Sequence, residues 1–407
     1  MKKLLIFLSI IILITTACNR KNNKESPKDN ELKEPNENIQ EQKDEIREKI
    51  KSMTMEEKIG QLFILGFEGK DIEEETKHLI EDFKIGGLIL FSRNIEDSNQ
   101  IIQLINNLKD LNKNNKIPLF ISIDEEGGNV SRLPKEFKKL PQAKKIGDTR
   151  DIDLSFKFGE LLGLRLKSLG FNLNYAPVMD INSNPKNPVI GNRAFGNNPE
   201  VVTSYGIPVM KGIQSMGIIS GIKHFPGHGD TDVDSHINLP VINKSLEEIR
   251  DFELIPFKKS IEEDGDMIMI AHILFPNIDK EYPSTMSKDI ITYLLRKEMG
   301  FEGVIISDDL TMGAIIENYT LEGATLKFLQ SGGDIALICH GTDDFKSIFE
   351  YIKIKVKNEE IPIEDIDNKV YRILKLKKKY NLQDTKIDEL NIEEINNKTE
   401  EILKKIK

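Results

Sequence analysis

The chain has 407 residues, 39% of them hydrophobic and 30% charged. That is enough apolar material for one large core or two modest ones, and too much for a chain disordered throughout. The formal net charge of −10 argues against a nucleic-acid binder, which should carry a basic face. Two Cys cannot build a disulfide scaffold or a Cys-based zinc site. With no Trp in the chain, any sugar-stacking platform must use other residues.

The N-terminus reads as an export signal. Met1-Lys2-Lys3 is a basic start, and Leu4 to Ile14 is an apolar run of eleven residues, too short to span a bilayer comfortably. Thr15-Thr16-Ala17-Cys18 follows, small residues ending in a Cys. This resembles a bacterial lipoprotein signal, with residues 1–17 removed and Cys18 diacylated; Thr15 departs from the Leu usual in such boxes. Residues 18–44 are Asn, Lys, Glu and Pro with almost nothing apolar. They read as a polar tether. The expectation is an exported lipoprotein of the cell envelope, held to a membrane by its lipid.

From residue 45 apolar strands alternate with helical periods. Strand-like runs are Ile59–Phe67, Gly87–Phe91, Pro118–Ile123, Phe171–Pro177, Ile218–Ile222, Met267–Ile270, Gly303–Ile306 and Ile335–Cys339. Helical periods lie between them at Ile72–Phe83, Asn99–Leu111, Leu154–Leu169, Glu200–Met216, Leu246–Ile261, Lys288–Glu298 (with Ser287 as N-cap) and Leu321–Gln330. Further helical periods run from Asp343 to Lys355 and from Ile363 to Tyr380. Continuous apolar strands between helices mean a parallel sheet buried on both faces. Eight of them predict an α/β fold, a (β/α)₈ TIM-type barrel, as a single catalytic domain over 45–382. A doubly wound sheet would want a Gly-rich phosphate loop after its first strand, which is absent. Residues 383–407 are charged, with apolar residues at loose helical spacing, and read as a peripheral helix or tail.

In such a barrel the active site forms where strands end and the following loops begin. Four strand ends carry chemistry: Asp124-Glu125-Glu126-Gly127-Gly128, Lys223-His224-Phe225-Pro226-Gly227-His228, Ala271-His272 and Ser307-Asp308-Asp309. The densest stretch is Lys223–Pro240, KHFPGHGDTDVDSHINLP, a Gly- and Pro-rich loop. It allows a surface turn, a weak metal site or a proton-transfer dyad, Asp234-Ser235-His236. No His-x-His or His-Glu-x-x-His spacing supports the metal. In the dyad a carboxylate orients the imidazole and stabilises its protonated form.

This loop resembles the signature of the β-N-acetylglucosaminidases of glycoside hydrolase family 3. The likeness extends in order through Asp124-Glu-Glu-Gly-Gly, Asn174-Tyr-Ala-Pro-Val-Met-Asp180, Gly191-Asn-Arg-Ala-Phe-Gly196 and Ile306-Ser-Asp308-Asp-Leu-Thr-Met, over roughly Met53 to Gly341. Asn129 departs from the Arg usual after the Gly pair, while Arg132 matches. The resemblance implies a retaining, metal-free, cofactor-free glycosidase. It makes Asp308 the nucleophile and Asp234 with His236 the acid/base dyad. It gives Asp124, Arg132, Arg193, Lys223 and His224 the terminal sugar to hold.

The residue types agree with that chemistry. Glycoside cleavage needs an acid on the leaving oxygen and a nucleophile at the anomeric carbon. A His suits a group that is acid in one step and base in the next. Asp309 reads as a cap pointing away from the site, Cys339 as a buried hydrophobe and His78 as a surface residue. His228, His272 and His340 are given no role. The expected function is an exo-β-N-acetylglucosaminidase acting as a monomer on peptidoglycan fragments or other N-acetylglucosaminides. The alternatives are a β-glucosidase or phosphorylase of the same family and, further off, a non-enzymatic sugar-binding lipoprotein or a metallohydrolase.

Overall fold

Thr54 and Glu57 cap each other across the first turn of a helix, Met55–Gly60. The apolar run that began at Ile59 therefore starts as helix and becomes strand only at β1, Phe63–Leu65. This reciprocal cap satisfies two backbone donors at once, which is why it overrides strand propensity here. The computed structural model describes residues 44–341, 344–387 and 390–406. The signal at 1–17, the lipidation site Cys18 and the tether lie outside the described residues, except that Asp44 caps the helix Glu45–Lys51.

The other strands are β2 (Gly87–Leu90), β3 (Phe120–Ile123), β4 (Leu173–Asn174), β5 (Ile219–Phe225), β6 (Met267–Ile270), β7 (Val304–Ser307) and β8 (Ala336–Ile338). Every residue in them is buried. They pair in parallel in sequence order, with β8 also beside β1. A parallel bridge between Ile306 and Ile335 joins β7 to β8 and closes the ring. This is the expected (β/α)₈ barrel.

Two helical expectations change. The period Leu246–Ile261 is two helices, Leu246–Arg250 and Leu254–Glu262. Pro256 has no N–H to continue the ladder, and the Phe252 carbonyl takes the Ile255 N–H instead, at 3.3 Å. The helix after Ser287, Asp289–Glu298, is wound as a π-helix, although the Ser287 hydroxyl still accepts the Ile290 N–H at 3.3 Å. The C-terminal segment holds a helix, Ile392–Lys405, that packs on Ile152–Leu169 and buries Ile395, Thr399 and Ile402. At the opposite end of the barrel from the strand termini, Lys377 donates to Gln61, Gly86 and Pro118, tying together the segments that enter β1, β2 and β3.

Candidate active site

β5 delivers two adjacent residues to the C-terminal rim. Lys223 places its ammonium 2.5 Å from Asp124 Oδ1 and 2.7 Å from Glu126 Oε1, both beyond the end of β3. Arg193, in the loop after β4, grips the same Glu126 with Nε at 2.8 Å and Nη2 at 2.7 Å. The order Asp124–Lys223–Glu126–Arg193 thus alternates in charge. Burial alone would neutralise Glu126, but Arg193 and Lys223 hold its carboxyl far below the ordinary range. Burial likewise opposes the charge on Lys223, and Asp124 and Glu126 outweigh it, raising its pKa. The two cations are held in place by these partners, and Glu126 keeps its charge near neutral pH.

His224 is aimed by Asp180, which is fully buried. Asp180 Oδ2 lies 2.6 Å from His224 Nδ1, and Oδ1 accepts the His228 N–H at 2.7 Å. His224 Nε2 is left facing Arg193 Nη2, 3.4 Å away. His228 is itself buried, between the hydroxyls of Thr231 at 2.9 Å and Ser235 at 3.0 Å. Burial, reinforced by nearby His224, lowers its pKa to about 4, so it is neutral in the working range.

Asp308 follows the last residue of β7, with its N–H bonded to Ile270 of β6 at 2.9 Å. Its carboxylate accepts the Asp309 N–H at 2.9 Å. Burial would raise its pKa, but His272, His224, that N–H and Lys223 together hold it below the usual value. Asp309, expected to point away as a helix cap, instead lines the same pocket, and its carboxylate accepts from Thr311 and from the Cys339 N–H. His272 braces the same turn, between Thr285 Oγ1 and the Asp309 carbonyl. Cys339 is buried and its thiol pKa is pushed well up by burial, which leaves it unsuited to nucleophilic work.

The loop beyond β5 brings Asp234 and His236 together: His236 Nδ1 lies 2.8 Å from Asp234 Oδ1, which also accepts the His236 N–H at 2.9 Å. With Nδ1 engaged, Nε2 is the nitrogen available for proton transfer. This loop is stitched to the segment after Asp308. The Gly313 N–H bonds the His236 carbonyl at 3.2 Å, and the Ala314 N–H bonds that of Ser235 at 3.1 Å. A Cβ at position 313 would stand 2.6 Å from the His236 carbonyl oxygen, so only Gly permits this approach.

A pocket of about 220 Å³ is lined by Asp124, Arg132, Arg193, Lys223, His224, His236 and Asp308. Asp234 lines an adjoining cavity of about 390 Å³, and His236 lines both. A groove of about 320 Å³ between helices Ile152–Leu169 and Ile392–Lys405 contains none of these groups. His340 is exposed at the pocket rim, its ring 5.7 Å from that of Phe91. Of the other acidic residues in the long loop, Asp230 is paired with Lys244 at 2.9 Å and Asp232 is exposed. Among the described residues, no cluster of His, Cys, Asp and Glu is disposed to hold a metal.

Glu126, Asp180, His228 and Gly313 carry much of this geometry but were given no role from sequence. Glu126 and Asp180 stood inside quoted motifs, yet their partners are 67 and 44 residues away.

Comparison with known proteins places the chain in a family. The family model described as "Glycosyl hydrolase family 3 N terminal domain" matches residues 54–376. A beta-hexosaminidase A of Pseudoalteromonas piscicida is 37% identical over 334 residues, which is 75% of this chain and 55% of that protein, so the chain spans little more than half its length. A beta-hexosaminidase of Neisseria meningitidis is 36% identical over 292 residues, 70% of this chain and 79% of that protein. The structure of a glycoside hydrolase family 3 beta-N-acetylglucosaminidase from Paenibacillus sp. FPU-7 superposes with a TM-score of 0.82 at 35% identity, covering 87% of this chain and 69% of that one. With the eight-stranded barrel and a family match over most of the chain, the protein is a member of glycoside hydrolase family 3.

Proposed function

We propose that the protein is a retaining exo-β-N-acetylglucosaminidase that removes terminal non-reducing N-acetylglucosamine from peptidoglycan fragments or related glycosides. The observation that carries this reading is the carboxylate of Asp308, kept ionised in the same pocket as His236. His236 Nε2 gives its proton to the glycosidic oxygen as Asp308 attacks the anomeric carbon. The leaving group departs and a covalent glycosyl-enzyme remains. His236, now neutral, takes a proton from water as that water attacks the same carbon and frees Asp308. Asp234 orients the imidazole through its contact with Nδ1. Asp124, Arg132, Arg193, Lys223 and His224 hold the sugar hydroxyls. The names of the relatives, beta-hexosaminidase and beta-N-acetylglucosaminidase, support the N-acetylhexosaminide substrate. The export signal read at the N-terminus supports an enzyme anchored to a membrane of the cell envelope.

The test compares a disaccharide with a nitrophenyl N-acetylglucosaminide. Asp308→Asn should abolish turnover of both while leaving the fold intact. His236→Ala should lose far more on the disaccharide, because an activated aryl leaving group departs without much proton help. General acid catalysis is worth about 10²–10⁴-fold, which sets the expected gap. Equal losses on both substrates would mean that His236 does not transfer the proton.

A further inference from the structure

Asp234 and His236 bond to each other within their own loop, so their pairing moves with the loop and does not fix it. The His236 side chain is 64% exposed. Where its Nε2 stands against Asp308 is therefore set by what ties residues 234–236 to the barrel. Two main-chain bonds come from the N–H groups of Gly313 and Ala314. Among the described residues, the side-chain hydrogen bond that ties them is that of Ser235 to His228 Nε2, at 3.0 Å. Ser235 is buried, although His236 beside it is exposed.

His228 is itself anchored. Its N–H reaches Asp180 Oδ1 at 2.7 Å, and the Asn187 amide donates to its carbonyl at 2.8 Å and to Thr231 Oγ1 at 3.1 Å. The Thr231 hydroxyl donates to the His228 carbonyl at 3.1 Å, which leaves Thr231 Oγ1 an acceptor toward His228 Nδ1 at 2.9 Å. This hydrogen-bond set assigns the ring proton to Nδ1, so that Nε2 accepts the Ser235 O–H. The other oxygen of Asp180 lies 2.6 Å from His224 Nδ1. One buried carboxylate thus supports both the histidine beside Arg193 and the histidine that holds the loop.

We propose that Asp180, His228 and Ser235 form a relay that seats the acid-bearing loop against the sugar site, with His228 and Ser235 as positioning residues for His236. This rests on the reading of His236 as the general acid. Proton transfer tolerates little displacement, and a misplacement of about 1 Å costs on the order of 10²-fold. The loss falls where proton donation matters, on a poor leaving group.

Three single variants test the relay on the disaccharide and the nitrophenyl N-acetylglucosaminide. Ser235→Ala deletes one oxygen, the donor to His228, and decides the matter alone if a His228 variant does not fold. His228→Asn keeps a polar group near Thr231 but is too short to reach Ser235, whereas His228→Gln carries its amide to about the position of Nε2. Ser235→Ala and His228→Asn should each lower kcat on the disaccharide about tenfold or more, with KM and the nitrophenyl rate changed less than about threefold. The double variant, Ser235→Ala with His228→Asn, should be no slower than the worse single, because both act through one bond. His228→Gln should keep more of the disaccharide rate than His228→Asn. Equal losses on both substrates, or losses that multiply in the double variant, overturn the relay and leave His236 as the acid. If His236→Ala itself loses equally on both substrates, the acid assignment fails and the relay with it.

Discussion

Acid should destabilise this protein through one particular histidine. His228 is buried, with both ring nitrogens in hydrogen bonds to Thr231 and Ser235, and its pKa falls from 6.5 to about 4. A histidine whose folded pKa lies below its unfolded value is protonated first in the unfolded chain. The unfolded state then binds more protons, and stability is full above pH 6.5 and lost as pH falls toward 4. At about 1.4 kcal/mol per pH unit, a two-state group with these two pKa values removes roughly 2 to 3 kcal/mol at pH 4.5 relative to pH 7.5. Carboxylates titrate in the same range, so wild type must be compared with His228→Gln, which keeps a donor and an acceptor but cannot charge. Urea unfolding at pH 7.5, 6.5, 5.5 and 4.5 reads the result. The variant should start less stable at pH 7.5, because its bonds are imperfect, yet lose roughly 2 to 3 kcal/mol less on acidification. Parallel stability curves for the two proteins would refute the argument. The consequence reaches the site: Ser235, held by His228, precedes His236 in the loop of the proposed acid, so protonation should loosen that loop first.

Two other perturbations follow from the geometry and the sequence. Gly313→Ala would set a methyl group 2.6 Å from the His236 carbonyl oxygen and part the two loops. We expect kcat on a disaccharide to fall at least tenfold, with a smaller fall on a nitrophenyl glycoside and an unchanged circular dichroism spectrum. If both substrates suffer alike, the stitch does not position the acid. Cys18→Ser, motivated by the sequence Thr15-Thr16-Ala17-Cys18, should release the protein from membranes into the soluble exported fraction. A variant that still sediments with membranes after a salt wash would rule out lipidation as the anchor.

Strand number and order were legible in the amino-acid sequence because most of the strands, buried on both faces, read as apolar runs. The exceptions have local causes: a capping box turned the start of the first run into helix, and Pro256, in the first turn of the helix Leu254–Glu262, has no N–H to bond back across the break that precedes it. The residues at strand ends could be named as well, since the parallel barrel sends every C-terminal strand end to one rim. Asp124, Lys223, His224 and Asp308 duly line one pocket. Only the closed barrel decided what those side chains do to one another. Glu126 became the partner of both Lys223 and Arg193, Asp180 the support of two histidines, and Gly313 the contact point of two loops. These pairs lie tens of residues apart along the chain. Apolar period reports how a residue sits within its own element, whereas an ion pair or a close backbone approach depends on which elements the ring makes neighbours, and on the burial that gives a charge its partner.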